Sequence, residues 1–373
     1  MSSPESVINS YPEWAPRFWH GMQSKTWFSY LIKNRFRIGW NRLHVALGVS
    51  AFMPFSDLLA LTHYVLFNRA IERTQLTGPP LFVLGHWRSG TTLLHEYLGL
   101  DERFASPTTF QCFAPAHFLL TEALVTRFGG WLLPDKRPMD NMKAGWALPQ
   151  EDEFALMNLG APTLYARMMF PQNGFPDENT LSDDAFTDAQ RAKWKYLMNW
   201  FMKALTYKSQ KPLILKSPPH TGRLSLLREL YPNAKFIHIV RDPRSLFPST
   251  VKLWRSLDQI QGLQRPIADD QLEPFVFRCL RRMYQSFDRG RVGLTDSQII
   301  DVKYEDLAKD PLQVVSTIYQ QLNLGDFEIV KSKILEKTKS QVEYKTNRFL
   351  KDNDLENRIL QEWHDYAARY GYM

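Results

Sequence analysis

A loop with the spacing of a phosphate-binding turn lies between an apolar run and a helix-like stretch. The residues GHWRSGTT extend from Gly85 to Thr92, after LFVL and before LLHEYLGL. A Gly-x-x-x-x-Gly turn between a strand and a helix typically cradles phosphate with its backbone N–H groups. Nucleotide kinases place a lysine directly after the second glycine, but Thr91 stands there and Arg88 lies inside the loop. The loop is therefore predicted to bind an anion, and the missing lysine leaves open which one.

Three further segments repeat the order of apolar strand, polar turn and helix. They are PLILK followed by SPPH at 217–220, KFIHIV followed by RDPR at 241–244, and IIDVKY at 299–304 followed by DPLQVVSTIYQQL. Short apolar strands that alternate with helices are typical of a parallel sheet with helices on both faces. Because ligands of such sheets bind at the carboxyl ends of the strands, we expect the glycine loop, SPPH and RDPR to meet at one edge.

The length and composition indicate one α/β domain with extensions. The chain has 373 residues and a net charge of +7, which fits an anionic ligand without specifying it. Residues 1–75 show a helical pattern without strands, so they are predicted to form an N-terminal extension to a main domain at 76–373. An insertion at about 105–200, irregular and rich in Pro, Trp, Phe and Met, is expected to act as a lid over the sheet edge. A purely structural subdomain is the alternative.

The N-terminal extension raises a membrane question. The chain begins without a basic-then-apolar signal pattern, so we expect a cytoplasmic protein. Residues 45–67 are mostly apolar and about long enough to span a bilayer, but Pro54, Asp57 and His63 interrupt them. The preceding WFSYLIKNRFRIGWNRL alternates aromatic and basic residues, as interfacial helices do. Peripheral membrane contact through residues 20–67 and a pair of helices packed on the main domain both remain open.

Four motifs, in this order along the chain, resemble those of the sulfotransferases. LGHWRSGTTLL resembles their 5′-phosphosulfate loop, FIHIVRDPRSLFPSTVKLW resembles their 3′-phosphate motif, and LKSPPH and VKYEDLAKDP match in type and order. The resemblance spans about residues 81–322 and is closest to the RSGTT branch shared by microbial and tyrosylprotein sulfotransferases. It implies a P-loop-like three-layer α/β fold with a central parallel sheet, a helical N-terminal extension and a helical or irregular lid insertion. Residues 76–373 would form the sulfotransferase domain.

The resemblance implies that the sulfuryl donor is 3′-phosphoadenosine 5′-phosphosulfate (PAPS), bound as a co-substrate. Its sulfuryl group sits on the first phosphate, so there is no β–γ bridge for a Walker lysine or Mg²⁺ to neutralise. The backbone N–H groups of Ser89, Gly90, Thr91 and Thr92 are expected to hold the 5′-phosphate. The planar guanidinium of Arg88 is expected to grip the 5′-phosphate and the departing sulfate oxygen.

The resemblance also assigns the 3′-phosphate end of the donor. The arginine and serine of RDPRSLFPS, Arg241 and Ser249, match the family's 3′-phosphate ligands. Their spacing places one residue at a strand tip and the other about two turns into the next helix, so both converge on one phosphate. Tyr304 resembles a family position near the nucleotide. Lys345 and Arg348 are expected to complete the phosphate grip, with a merely solvated basic cluster as the alternative.

The acceptor must lose a proton as the sulfuryl group arrives, so a base is expected nearby. His220, beyond the strand tip in LKSPPH, is one candidate, since imidazole titrates near neutrality. The acidic cluster from Glu151 to Glu153 is the other, because an apolar lid raises carboxyl pKa values. Both remain open, with Glu153 as the rival to His220. Lys216 is expected to contact the bridging oxygen, as the family's matching lysine does, and to stabilise the leaving group.

These observations predict a PAPS-dependent sulfotransferase that acts on a hydroxyl or amine acceptor without a metal. The acceptor is expected to be a small molecule, a lipid or a glycan, and no nucleic-acid partner is expected. The two cysteines, Cys112 and Cys279, show no metal-ligand spacing. Two alternatives remain: a P-loop nucleotide kinase or related phosphotransferase, and a non-catalytic nucleotide-binding relative.

Overall fold

The structure, a computed structural model, describes residues 12, 15–134, 143–174, 178–340 and 352–373. The chain divides into two compact units whose segments alternate along the sequence. Unit 1 comprises residues 1–69, 108–177 and 251–272, and unit 2 comprises residues 70–107, 178–250 and 273–373. Unit 1 therefore combines most of the predicted N-terminal extension with most of the predicted insertion. The domain boundary placed at residue 75 and the lid role of the insertion stay predictions.

Unit 2 contains a parallel sheet whose strand order is β2-β1-β3-β4. Leu81 pairs with Ile214 on one side and with Lys235 on the other, and Phe236 pairs with Ile299. The carboxyl ends of the strands therefore face the same edge of the sheet. The strands are β1 (Leu81–Leu84), β2 (Ile214–Lys216), β3 (Lys235–Val240) and β4 (Ile299–Lys303).

Helices account for most of the remaining regular structure in the described residues. Short 3₁₀ segments occur between them, among them Leu164–Met169 and Pro218–Arg223. The α-helices are α1 (Ser24–Lys33), α2 (Leu43–Arg73), α3 (Thr91–Leu98), α4 (Thr109–Phe113), α5 (Phe118–Phe128), α6 (Asp152–Asn158), α7 (Asp188–Ser209), α8 (Leu224–Leu230), α9 (Pro243–Gln261), α10 (Asp269–Arg291), α11 (Tyr304–Lys309), α12 (Pro311–Gln321), α13 (Glu328–Ser340), α14 (Asn353–Glu362) and α15 (His364–Tyr370).

The sheet of unit 2 is apolar on both faces, as expected for parallel strands between helices. One face packs against α3, α12 and α13. On the other face, Phe82 stacks on Phe236 with ring centroids 5.7 Å apart. The first face and its helices form a continuous core whose buried members are Leu81, Val83, Leu94, Tyr97, Leu98, Ile214, Ile237, Ile239, Ile300, Val302, Leu307, Val315, Ile318, Tyr319, Leu322, Val330 and Ile334. This core holds the strand ends, and the loops that follow them, in fixed register.

The strand and helix order predicted from the sequence is confirmed. LFVL and KFIHIV form β1 and β3 with the predicted bounds. The Asp310 side chain accepts a hydrogen bond from the Gln313 backbone N–H at 3.0 Å, which caps α12 in front of Pro311 as the sequence indicates. Pro248 lies inside α9, which nevertheless continues to Gln261. The P-loop-like α/β fold with a central parallel sheet is thus present.

Unit 1 packs α1 against α2 through aromatic side chains. The indole N–H of Trp27 donates to the Ser50 hydroxyl at 2.9 Å. Trp19 stacks on Trp27 with centroids 5.3 Å apart and donates its indole N–H to the carbonyl of Gln261. Tryptophan provides a large apolar surface together with a donor that needs a partner when buried. These contacts link the N-terminal segment to Gln261, the last residue of α9.

A buried ion pair lies within the same unit. The Arg167 guanidinium binds both carboxylate oxygens of Asp258, at 2.6 and 2.9 Å, and lies 5.1 Å from the Trp254 ring centroid. Both charged side chains are almost completely buried. Burial raises the pKa of Asp258, and the neighbouring Arg167 opposes that shift. Removal of either partner would leave an uncompensated charge in an apolar surrounding.

We predict that Asp258→Ala lowers the free energy of unfolding by about 3–5 kcal/mol, because the Arg167 guanidinium stays buried without its carboxylate. Urea unfolding followed by circular dichroism measures this change. Asp269→Ala is the matched control: its pair with Arg255 is exposed on both sides, so the loss should be at most about 1 kcal/mol. Equal losses in the two variants would contradict a special role for the buried pair.

Candidate active site

The glycine loop leaves β1 in an unusual backbone conformation. Gly85, Arg88 and Gly90 have φ values of 148°, 69° and 101°. Arginine seldom adopts such a value, and backbone strain of this kind is typical of binding loops that the surroundings hold in place. Gly90 is the residue directly before α3. The turn therefore points the first N–H groups of that helix, which have no partners within the helix, toward the end of the loop.

Hydrogen bonds inside the loop fix this conformation. Ser89 donates both its backbone N–H, at 3.1 Å, and its hydroxyl, at 2.8 Å, to the carbonyl of His86. His86 is fully buried, and burial lowers its pKa to about 3. The ring is therefore neutral at physiological pH, and its Nδ1–H donates to the carbonyl of Trp87 at 3.0 Å. Positive charge in the loop is thus confined to Arg88.

Arg88 connects the two sets of residues predicted to bind the donor. Its Nε donates to the hydroxyl of Ser249 in α9 at 3.0 Å. Arg241, directly after β3, donates from its guanidinium to the carbonyl of Arg88, also at 3.0 Å. The loop predicted to bind the 5′-phosphosulfate and the residues predicted to bind the 3′-phosphate therefore form one connected group. The adjacency of β1 and β3 explains this, because parallel neighbours end at the same edge.

Tyr304, the first residue of α11, closes one side of this group. The guanidinium carbon of Arg241 lies 4.4 Å from the centroid of the Tyr304 ring, an arrangement that favours the cation. The same ring lies against Gly90: a Cβ atom there would come within 2.4 Å of Tyr304 Cδ2. Gly90 is therefore required twice, for its positive φ and for the space that the tyrosine ring occupies.

Lys216 reaches the same edge from β2. It is the last residue of that strand, pairs with Val83 of β1 and is almost completely buried. Its Nζ lies 3.4 Å from the hydroxyl of Thr92 in the first turn of α3. A lysine at this place brings a second cation to the end of the glycine loop. The structure thus brings together Arg88, Thr92, Lys216, Arg241, Ser249 and Tyr304.

His220 is a buried residue of unit 2. It belongs to the 3₁₀ segment after β2 and is fully buried. Its ring makes edge-on contacts with Phe82 and Trp194, at centroid distances of 5.8 and 6.0 Å. Its neighbour Thr221 accepts a hydrogen bond from the backbone N–H of Gly85 at 2.8 Å. The SPPH segment is thus anchored to the start of the glycine loop.

The acidic cluster at 151–153 belongs to unit 1. Glu153 is fully buried and accepts a hydrogen bond from the Thr163 hydroxyl. Glu151 is half-buried and accepts one from the Tyr165 hydroxyl. Both carboxylates are thus engaged by hydroxyl groups of the segment that follows α6. Asp152 is the first residue of α6 and is also buried.

Two further residues, Tyr366 and Thr250, hold the backbone of the site in place and were not predicted from the sequence. The Tyr366 hydroxyl in α15 accepts from the backbone N–H of Arg241 and donates to its carbonyl, both at 2.9 Å. The Thr250 hydroxyl donates to the carbonyl of Trp87 at 3.2 Å. A tyrosine in a C-terminal helix carries no local signal for such a role, whereas Thr250 directly follows the predicted Ser249. Lys345 and Arg348 lie outside the described residues.

Comparison with known proteins assigns the family. A model of the sulfotransferase family matches residues 79–328. The chain is 35% identical over 367 residues, 98% of its length and 94% of the relative's, to the omega-hydroxy-beta-dihydromenaquinone-9 sulfotransferase Stf3 of Mycobacterium bovis. The Stf3 of Mycobacterium tuberculosis matches with the same identity and coverage. This chain belongs to the sulfotransferase family, and its reaction is sulfuryl transfer to a hydroxyl acceptor.

Solved structures confirm the fold. Sulfotransferase STF9 from Mycobacterium avium matches with a TM-score of 0.65 at 16% identity, over 99% of this chain and 98% of that one. Sulfotransferase STF1 from Mycobacterium tuberculosis matches with a TM-score of 0.64 at 15% identity, over 91% of this chain and 90% of that one. The expected family and fold are therefore both confirmed, and sulfuryl transfer replaces the kinase alternative.

We predict that Gly90→Ala lowers the free energy of unfolding by about 1–3 kcal/mol, because its Cβ would meet the Tyr304 ring at an unfavourable φ. Urea unfolding tests this. Gly48→Ala in α2 is the control, since a Cβ there meets nothing within 4 Å. That change should be neutral or stabilising by up to about 1 kcal/mol. An unaffected Gly90 variant would show that the ring does not constrain the loop.

Proposed function

We propose that this sulfotransferase uses PAPS as its donor and sulfates the hydroxyl of an apolar, lipid-like alcohol. The donor assignment rests on one observation: Arg88 donates to Ser249 while Arg241 donates to the Arg88 carbonyl. Two anion-binding elements are thereby coupled at one sheet edge. A donor with a phosphosulfate at one end and a phosphate at the other matches this pair.

Each group of the site has a distinct role in this proposal. The loop from Arg88 to Thr92 binds the 5′-phosphosulfate, and Arg241 with Ser249 binds the 3′-phosphate. The Tyr304 ring holds the Arg241 guanidinium in place. Lys216 stabilises the oxygen that leaves with the nucleotide, because its ammonium lies beside Thr92 of the loop. The contacts among these side chains, near the carboxyl ends of the strands, support these roles.

The reaction is an in-line displacement at sulfur. The acceptor oxygen forms a bond to sulfur, the bond between sulfur and the bridging oxygen breaks, and adenosine 3′,5′-bisphosphate leaves. Negative charge grows on the bridging oxygen as this happens, which Arg88 and Lys216 would stabilise. The acceptor proton passes to a base. Positioning and charge stabilisation therefore supply most of the rate enhancement.

The proposed class of acceptor is based on the similarity of this chain to Stf3. Stf3, whose name gives an omega-hydroxylated dihydromenaquinone as its substrate, shares 35% of its residues with this chain over nearly the full length. A hydroxylated quinone lipid is an apolar alcohol, which agrees with the high aromatic content of this chain, 13%. We therefore propose a hydroxylated isoprenoid or similar lipid as acceptor, with glycans as the class to test against it.

Two experiments test the donor assignment and the acceptor assignment independently of each other. Sulfate transfer from ³⁵S-labelled PAPS to a hydroxylated prenyl quinone, measured in EDTA, should proceed and should exceed transfer to a glycan. Isothermal titration with adenosine 3′,5′-bisphosphate should show that Arg241→Ala loses about 2 kcal/mol or more of binding free energy, because a charge-assisted contact is removed.

Arg244→Ala is the matched control for that loss. It removes an equal charge from the same turn, but the Arg244 guanidinium is paired with Asp242. Its effect on nucleotide affinity should be several-fold smaller. Undiminished binding by Arg241→Ala would contradict the donor site. Nucleotide binding without any sulfate transfer would instead identify a non-catalytic relative.

We propose His220 as the base that takes the proton of the acceptor, with Glu153 as the rival. We predict that His220→Gln cuts turnover by about 10²- to 10⁴-fold while nucleotide affinity stays nearly unchanged, since a positioned base contributes that much to the rate. Glutamine is chosen because it fills most of the buried imidazole volume. Single-turnover assays with saturating donor measure the chemical step.

Glu153→Gln tests the rival base under the same conditions. If this variant is crippled and His220→Gln is not, the proton passes to the acidic cluster and His220 has a structural role. The pH profile adds a second readout, because loss of the base removes the rise in turnover that its ionisation produces. Thermal denaturation of both variants separates a catalytic loss from a folding defect.

A further inference from the structure

Helix α2 is only partly covered by protein. A narrow stripe of the helix is buried, and its members are Val45, Ala46, Val49, Met53, Ser56, Ala60, His63 and Ile71. The rest of the helix circumference is exposed and strongly apolar. We call this the α2 apolar face; each of its large members is more than half exposed, and they are Leu47, Phe52, Phe55, Leu58, Leu61, Tyr64, Val65 and Leu66. Soluble proteins seldom leave an apolar patch of this length open to water.

The α2 apolar face has almost no charge along its length. Between Arg42 and Arg69 the sequence contains a single charged residue, Asp57, besides two histidines. The Asp57 carboxylate is used within the protein: it accepts a hydrogen bond from the backbone N–H of Ser24, the first residue of α1, at 3.0 Å. By length and composition, the helix over Trp40–Arg73 is long and apolar enough to cross a membrane. A partner for the exposed face must therefore be apolar.

The protein contacts of α2 argue for a helix that lies on a bilayer rather than one that spans it. The indole of Trp27 from α1 is bonded to Ser50, and the ring of His63 lies 6.1 Å from that of Phe118 in α5. One side of α2 thus packs against other residues of unit 1 along most of the helix. A helix with one apolar face on protein and the other exposed suits the interface plane of a membrane.

Basic residues next to the α2 apolar face indicate that the surface it binds carries negative charge. Residues 24–42, which form α1 and the turn into α2, contain five cations and no carboxylate. Lys25, Lys33, Arg35 and Arg37 are exposed. Between them lie exposed apolar side chains, and Trp40 is 91% exposed. Tryptophan and cations at such a boundary are typical of segments that bind anionic headgroups.

The same charges disfavour a second copy of the chain as the partner. In a two-fold symmetric dimer a surface patch meets itself. The cations of residues 24–42 would then approach their own copies without carboxylates in that segment to offset them. Anionic lipid offers both an apolar layer and the opposite charge.

We propose that unit 1 binds the surface of an anionic lipid bilayer, with the α2 apolar face in the acyl boundary and the cations of residues 24–42 on the headgroups. The proposal rests on this surface and not on the donor or acceptor assignment. It gives the N-terminal helices a function of their own, which is to hold the enzyme where apolar alcohols dissolve.

Vesicle flotation of the full chain tests the proposal. The protein should float with phosphatidylglycerol–phosphatidylcholine vesicles, and Phe55→Glu/Leu58→Glu/Leu61→Glu should lower the partition coefficient at least about tenfold, because the apolar insertion is lost. The matched control carries three charges on exposed apolar residues of unit 2, as Val292→Glu/Ile329→Glu/Leu335→Glu. It should float like the original chain. Equal flotation of both variants would overturn the proposal.

A second set of variants tests the electrostatic part. Lys33→Gln/Arg35→Gln/Arg37→Gln should weaken binding to the anionic vesicles by about fivefold for each cation. Binding to vesicles of phosphatidylcholine alone should change little. Lys331→Gln/Lys333→Gln, which neutralises exposed cations of α13, is the control. Equal losses on both kinds of vesicle would show that headgroup charge is not recognised.

A fluorescent label distinguishes insertion from misfolding of the glutamate variants. The cysteines of the chain, Cys112 and Cys279, are buried, so a thiol-reactive environment-sensitive dye will mark Leu61→Cys selectively. Its emission should shift to the blue when anionic vesicles are added, whereas a label at Val292→Cys should not respond. An unchanged Leu61 label, together with a dimer in light scattering that Phe55→Glu dissociates, would show that the face binds a second copy instead.

Discussion

The hydrogen bond from the Arg88 guanidinium to the Ser249 hydroxyl, 3.0 Å long, ties the loop after β1 to the helix after β3. Arg241 completes the link by donating to the Arg88 carbonyl. This contact exists only because β1 and β3 are parallel neighbours that end at one edge. The strained φ of Arg88, the glycine beside Tyr304 and the Tyr366 contacts with Arg241 all serve to hold it. The geometry of the proposed donor site therefore depends on one loop residue, Arg88.

Much of this arrangement was predictable from local sequence. Four-residue apolar runs such as LFVL identify strands buried on both faces, and a glycine-rich turn after one of them identifies the loop. The N-cap at Asp310 follows from the DP dipeptide. Register and strand order were predictable only as far as strand-turn-helix segments imply a parallel sheet.

Other features depend on contacts between distant segments and left no local signal. The Tyr366 hydroxyl reaches Arg241 across 125 residues, and Thr221 reaches Gly85 across 136. The burial of His220 also left no signal in the sequence. A histidine after a strand has the same local sequence whether its ring faces solvent or, as here, contacts Phe82 and Trp194. The exposure of α2 could not be predicted from the sequence either. The pattern of apolar residues predicts a helix, but it does not show which face of the helix packs against the rest of the protein.

A crystal structure of the full chain with adenosine 3′,5′-bisphosphate would show whether the linked residues Arg88, Arg241 and Ser249 bind the nucleotide. We expect the 5′-phosphate against the backbone N–H groups of Gly90 to Thr92, and the 3′-phosphate within hydrogen-bonding distance of the Arg241 guanidinium and the Ser249 hydroxyl. The Arg88 side chain should lie between the two phosphates. A nucleotide bound in the opposite direction, or one that leaves Arg241 and Ser249 without a phosphate contact, would contradict it.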